Sequence, residues 1–314
     1  MPSFIRAIEL WTPDEAGTSL EFGGGIYNDD LEEFRQISEL ALFGRDDGLP
    51  GKAWAAGHPI ILTDFADSYF RRADEARLFA LTCAVAIPIF AGTRIKSVVG
   101  LLCGGDSGEN VGAVELWHNN AELSHEMKLV DGCYGTAKDL AFNSRHTTFL
   151  RGYGLPGRAW KADTAVLIKD IGEAKQFLRA EDAAKSGLNV GLAIPYTNGS
   201  DETWVVCFLS ALRTPIARRF EIWHPAGDGG ALQFHSGYCS SGADLDKIFS
   251  GKTISKGEGV LGRALASASP VIGSDLTGEP SIAARSAAKA GLKQAVVLPV
   301  ISGIQLQALI AWYP

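Results

Sequence analysis

Hydrophobic and polar positions alternate with a period of two from Ala7 to Trp11, where Ile8 and Leu10 stand against Glu9 and Trp11. The spacing predicts a strand. Pro13 to Gly17 supplies a turn, and Ser19 to Gly23 a returning strand closed by further glycines. Leu31, Phe34 and Ile37 recur at helical spacing, with Asp29 or Asp30 as the N-cap. Ala41 to Phe43 reads as a third strand, and a Gly-Leu-Pro-Gly turn then opens a short helix carrying Trp54. Pro59 to Phe65 is an apolar run with Asp64 near its end. Ser68 to Leu81 reads as a helix, Cys83 to Phe90 as a strand, Thr93 to Ile95 as a turn, and Val98 to Cys103 as a closing strand. A sheet with helices interposed between its strands is an α+β unit.

The same order occurs three times. Gly48-Leu49-Pro50-Gly51-Lys52-Ala53-Trp54 returns as Gly154-Leu155-Pro156-Gly157-Arg158-Ala159-Trp160 and, altered, as Gly259-Val260-Leu261-Gly262-Arg263-Ala264-Leu265. Ile8-Glu9-Leu10-Trp11 recurs as Val114-Glu115-Leu116-Trp117 and Phe220-Glu221-Ile222-Trp223. Asp64 recurs as Asp170 and Asp275, and Ala86-Ile87-Pro88 as Ala193-Ile194-Pro195 and Val297-Leu298-Pro299. A period of about 105 residues is too long for a solenoid and right for a small domain. The expected units are 1–106, 107–214 and 215–314. The junctions near Gly104 to Val111 and Leu212 to Arg218 are short enough for another assembly. The last strand of one copy would pair with the first of the next, giving units 48–150, 154–257, and 1–46 joined to 259–314.

The charge of -7 argues against nucleic acid, because phosphate binding needs a basic face. Short basic runs such as Arg71-Arg72 and Arg218-Arg219 occur, but nothing longer. No apolar stretch approaches the ~18 residues of a membrane span, and the N-terminus lacks the regions of a signal peptide. Five scattered cysteines without a C-x-x-C pair read as reduced thiols of a cytoplasmic chain.

The order of strands, the G-L-P-G-R-A-W turn, the P-x-x-x-x-D strand, F-x-R-A, A-x-x-x-G-L and A-I-P together resemble the GAF domain, a PAS-related module for small-ligand sensing and dimerisation. The resemblance covers the chain as three tandem copies, each implying a central antiparallel sheet with helices. The third copy departs from the first two. Trp54 and Trp160 become Leu265, Phe70 and Phe177 become Ser281, and Arg72 and Arg179 become Ala283. No flanking helix fits the short junctions, so either something else covers that sheet face, or exposed Trp11, Trp117 and Trp223 form an interface for protein contact or homo-oligomerisation.

What the resemblance implies for sites is partial. Phe70 to Glu75 is similar to the end of the motif of cyclic-nucleotide GAF domains, so Phe70, Arg72, Phe177 and Arg179 are candidate ligand contacts, with Cys83 where the pocket-side strand begins. An arginine there could hold a phosphate or carboxylate bidentately, or sit on a solvated helix face. Gly48, Gly51, Gly154, Gly157, Gly259 and Gly262 could cradle an anion at a helix N-terminus. The third copy keeps them after losing the large side chains, which favours a turn and close packing. Trp54 and Trp160 are expected to be mostly buried. Asp64, Asp170 and Asp275 are expected to cap the backbone of the following loop.

The cysteines have neither a partner in sequence nor a pKa-lowering neighbour, so they read as small buried hydrophobes. The six histidines show no metal spacing, and no metal is expected. No nucleophile elbow, Walker motif or zinc signature occurs. The cysteine pattern of GAF-like methionine sulfoxide reductases is also missing, so the chain is expected not to be an enzyme. The expectation is a cytoplasmic sensory protein that binds an unidentified small molecule and signals to a separate protein. A ligand-free interaction scaffold is the alternative.

Overall fold

β1 (Ile5–Pro13) and β2 (Ser19–Tyr27) form the first hairpin, with a bulge at Leu10/Trp11 that lets the pairing run on through the glycines to Tyr27. After them come α1 (Glu32–Glu39), β3 (Phe43–Gly44), α2 (Gly48–Ala56), β4 (Ile60–Leu62), α3 (Ala73–Leu78), β5 (Leu81–Ala91) and β6 (Arg94–Gly104). The sheet order is β3-β2-β1-β6-β5-β4. This computed structural model describes residues 3–66, 68–104, 111–174, 177–197, 201–212, 214–227 and 229–314. The first junction, and residue 213 of the second, lie largely outside the described residues.

The pairing order then recurs. The second set is β7 (Gly112–Asn120), β8 (Glu126–Cys133), α4 (Lys138–Arg145), β9 (Thr148–Leu150), α5 (Gly154–Ala162), β10 (Val166–Ile168), α6 (Ala180–Lys185), β11 (Leu188–Thr197) and β12 (Glu202–Ala211). The third is β13 (Arg219–Ala226), β14 (Ala231–Cys239), α7 (Leu245–Phe249), β15 (Thr253–Ser255), α8 (Gly259–Ser267), β16 (Val271–Gly273), α9 (Ile282–Lys289), β17 (Ala295–Ser302) and β18 (Gln305–Tyr313). The first strand of each set pairs with the last strand of the same set: β1 with β6, β7 with β12, β13 with β18. The exchanged hairpin that the short junctions allowed is not the pairing found.

Three local expectations are corrected. The segment from Ser68 to Leu81 is not one helix. The Ser68 hydroxyl accepts from the Phe70 amide at 3.1 Å and donates to the Phe65 carbonyl, a local turn that competes with helix. Helix starts only at Ala73, and Leu81 already belongs to β5. Asn28, rather than Asp29 or Asp30, precedes the short 3-10 turn that leads into α1. Ile95 lies in β6 and not in a turn.

Both faces of each sheet are buried. Along β1, Ala7 and Trp11 pack under the helices of their own repeat, with Leu20, Phe34, Ala84 and Leu102. Ile8 and Leu10 face the other way, into one core shared with Val85, Leu101, Leu192, Phe208, Ile222, Leu298 and Trp312 from all three repeats. Trp11, Trp117 and Trp223 are completely inaccessible. The alternative of an exposed tryptophan interface is therefore wrong. The face that lacks a flanking helix carries Ile8, Leu10 and their counterparts, and each repeat covers it for the others. Burial of that aliphatic face is favourable at about 25 cal/mol per Å².

The contacts between repeats close on themselves. β4 lies against β7 and β8, and His58 stacks on Trp204 at 3.8 Å. Lys169, just after β10, meets Asp246 at 2.8 Å. β16 lies against β2, and the Gly92 amide donates to the Gly303 carbonyl at 2.9 Å. A single parallel bridge, Thr197 to Ser302, joins β11 to β17. No helix among the described residues is long and apolar enough to cross a membrane.

Candidate functional site

Arg72 precedes α3 and turns inward beneath the helices. Its Nη1 and Nη2 donate to the two oxygens of Glu9 on β1, at 2.6 and 2.8 Å. Glu9 also accepts from Ser38 Oγ at 2.8 Å, Tyr27 Oη at 2.9 Å and Trp11 Nε1 at 3.2 Å. Five donors thus saturate a carboxylate that is 1% exposed. Burial alone would raise the Glu9 carboxyl, but the Arg72 charge and these hydrogen bonds hold it below its ordinary value. Arg72 lies 4.9 Å from the Phe34 ring and 5.4 Å from that of Phe70.

The second repeat repeats the arrangement. Arg179 pairs with Glu115, its Nη2 donating at 2.9 Å, while Ser144 Oγ and Trp117 Nε1 donate at 2.8 and 3.0 Å. Burial raises Glu115 and the Arg179 charge lowers it, with a net downward shift. Arg72 and Arg179 therefore do face the interior, as a ligand site would require. The partner each meets there is a glutamate of its own chain.

The third repeat lacks an arginine at that position, since Ala283 is packed in its core. The charge comes instead from Arg219, which lies on the same strand as Glu221 and reaches it at 2.5 Å. The residues that match Arg219 by register are Ala7 and Ala113. Tyr313 Oη and Trp223 Nε1 donate to Glu221 at 3.2 and 2.8 Å. Arg219 Nη2 also donates to Ser286 at 3.1 Å, and its Nε and Nη1 have no hydrogen-bond partner among the described residues. The pairing is weaker than the two-pronged one, and burial carries the Glu221 carboxyl above its ordinary value despite Arg219.

Sequence reasoning missed the three glutamates as site residues, although they stood in the quoted strand motif. A charged residue between apolar neighbours in a strand with both faces covered was the available signal. It also missed Arg219, which reads as part of a surface basic run and is 0% exposed.

The other named residues take their places around this centre. Phe70 stacks on Phe65 at 4.4 Å, and Phe177 packs beside Arg179. Ser281, at the position of those phenylalanines, accepts from the Ala284 amide and caps α9. Asp64, Asp170 and Asp275 accept from the amides of Ala66, Gly172 and Thr277 at 2.8–2.9 Å. Gly48, Gly154 and Gly259 hold φ near +60° at the mouth of each helix. One turn on, a Cβ at Gly51, Gly157 or Gly262 would lie within 2.0 to 2.3 Å of a carbonyl oxygen of the preceding strand or turn. Trp54 and Trp160 are mostly buried, as expected, and pack at the edges of the cores of their repeats. Cys83 opens β5 on the shared-core side, away from the Arg72 centre.

A separate cleft of about 220 Å³ opens where equivalent strands of the three repeats end. Pro88 and Phe90 of β5, Tyr196 and Thr197 of β11, and Pro299 and Ile301 of β17 line it. It is mainly apolar. The Tyr196 hydroxyl is buried without a hydrogen-bond partner among the described residues, and burial raises its pKa. Thr197 Oγ1 lies 3.4 Å from Ser302 Oγ.

No family model matches the chain, and no curated protein matches it. Solved structures do. A GAF domain/HD domain protein from Geobacter sulfurreducens is 17% identical with a TM-score of 0.27, covering 32% of this chain and 64% of that one. The GAF domain from Acinetobacter phosphoenolpyruvate-protein phosphotransferase is 10% identical with a TM-score of 0.23, covering 32% and 54%. Free methionine-R-sulfoxide reductase from Neisseria meningitidis, in complex with its substrate, is 16% identical with a TM-score of 0.25, covering 32% and 52%. The chain thus spans about half to two thirds of the length of the structures it matches. Further reductases of this kind are among the matches. They correct the expectation that the chain is not an enzyme: the structures it matches include catalysts. Several of the matches are GAF domains.

Proposed function

We propose that the chain is a regulatory protein that binds a small molecule, built from three GAF-like units, 1–106, 107–214 and 215–314, that act as one body. The single observation that carries this reading is the cleft lined by the ends of β5, β11 and β17. Its volume lies below the ~300–1,000 Å³ of typical ligand pockets, which suits a compact, largely apolar molecule with one polar group. The polar group would be read by the hydroxyl of Thr197. A ligand there would touch all three units at once, so its binding would bias how they sit together and what their outer surfaces offer a partner protein.

The interiors of the individual repeats support this choice of place. Arg72 and Arg179 are committed to Glu9 and Glu115. The scaffold alternative leaned on exposed tryptophan faces, and those tryptophans are buried.

Phenol is a suitable first probe, being small, apolar and singly polar. The melting temperature of the full chain should rise with phenol concentration, as mass action requires of a ligand that binds only the folded state. Ile301→Trp, which fills the cleft, should abolish the rise. An equal rise in that variant, or none in the wild type, would remove the cleft as the site.

A further inference from the structure

Cys83 and Cys103 face each other across β5 and β6 of the first repeat, and Cys133 ends β8 of the second. Their Sγ atoms all lie within 4.8 Å of one another. They are 1%, 0% and 7% exposed, so Cys133 stands nearest to solvent. None of the three is in a disulfide. The surroundings belong to the shared apolar core.

The repeat supplies its own control for whether packing demands cysteine here. By register, the residues that match Cys83 and Cys103 in the second repeat are Val190 and Ser210. Those that match Cys133 in the first and third are Ile26 and Tyr238. The equivalent positions thus hold aliphatic, hydroxyl and aromatic side chains, and the fold is kept. Three converging thiols are a property of this seam alone among the matched positions.

We propose that Cys83, Cys103 and Cys133 form a three-sulfur site for a thiophilic ion, with trivalent arsenic, taken up from arsenous acid, as the occupant that these surroundings fit best. Softness selects the class, since sulfur ligands favour soft ions over hard ones. Charge selects within the class. Three thiolates leave two negative charges on a monovalent ion, one on a divalent ion and none on a trivalent ion. An uncompensated charge in an apolar core is costly, so the neutral adduct wins. In the uptake step three As–S bonds form and three As–O bonds break. The three thiol protons leave with the three hydroxyls as water, and no electrons are exchanged. Cys133, the least buried of the three, is the first that the reagent would meet.

The test is native mass spectrometry of the reduced full chain incubated with arsenite. One arsenic should be gained and three hydrogens lost. Cys83→Val and Cys133→Ile borrow the residues of the matching repeats, so they preserve packing, and each should lose the three-hydrogen adduct. Cys207→Ala, outside the cluster, should keep it. Absence of the adduct in the wild type would overturn the proposal, as would loss of fewer than three hydrogens or survival in both cluster variants. Equal occupancy by cadmium(II) under the same conditions would overturn the assignment to a trivalent ion.

Discussion

Arg219 neutralises Glu221 from two residues away on the same strand, whereas Arg72 reaches Glu9 from 63 positions along the chain. Ala7 stands where the third repeat has Arg219, and Ala283 stands where the first has Arg72. The arginine and the alanine have exchanged places around a carboxylate that stays put. A buried carboxylate without a cation is costly, so the glutamate sets the demand and either position can meet it.

This exchange predicts a rescue. Arg72→Ala leaves Glu9 buried and unpaired, and should destabilise the protein by about 3–5 kcal/mol. Adding Ala7→Arg to that variant should recover part of the loss, because it rebuilds the arrangement of the third repeat. Urea midpoints of the single and double variants decide it. A double variant no more stable than the sum of its single changes would refute the exchange.

The three glutamates should respond to pH in opposite senses. Glu9 and Glu115 titrate below their ordinary value, so the unfolded chain binds their protons more readily. Their contribution is complete above pH ~4.5 and is lost as pH falls through the folded values. Glu221 is raised, so the folded state holds its proton more tightly, and stability from this group declines as pH climbs from ~4.5 through the raised value. Against wild type, Glu9→Gln should therefore look worse as pH rises through the acid range. Glu221→Gln should look better as pH rises from 4.5 towards neutrality. Parallel slopes in urea titrations of the two variants would contradict the assignment.

Gly157→Ala should destabilise the second repeat severely. The new Cβ would lie 2.2 Å from the Leu150 carbonyl oxygen, which is backbone and cannot swing aside. The helix must shift off the strand, an overpacking cost of about 1–3 kcal/mol or more. Gly187→Ala adds a Cβ that meets nothing within 4 Å, although φ there is +75°. Its cost should be the smaller, from backbone strain alone. Thermal midpoints of the pair rank the two effects.

Tryptophan truncations should separate core from rim. Trp117→Ala removes a side chain with no exposure that also donates to Glu115, and should cost at least the ~3–5 kcal/mol of a core aromatic. Trp160→Ala, at the edge of the core where the side chain keeps some exposure, should cost clearly less. Equal losses would show that burial does not govern this pair.

The first repeat in isolation should not be a stable monomer. Cutting after residue 104 exposes Ile8, Leu10, Val85, Ile87, Val99 and Leu101, which the other two repeats cover. An exposed apolar face of that kind drives association. A well-dispersed monomeric NMR spectrum of the segment would show that each repeat stands alone.

The periodic strands, the glycine turns and their threefold recurrence were legible in the sequence, because they are set by local rules: alternation, helical spacing and left-handed φ at glycine. The regular positions of Asp64, Asp170 and Asp275 were legible for the same reason, since their hydrogen bonds span two residues. What faced what was not. Trp11 and Ile8 alternate along one strand, and alternation says that they face opposite ways without saying which way is covered by helices and which by other repeats. The pairing of Arg72 with Glu9 and the meeting of Cys83 and Cys103 with Cys133 depend on contacts between segments far apart in the chain, and the burial that forces Arg219 onto its strand neighbour Glu221 depends on what the fold lays over β13. Only tertiary packing decided them, within a repeat for the arginines and between repeats for the thiols, because a buried charge or thiol takes its partner from whatever the fold brings within a few ångströms.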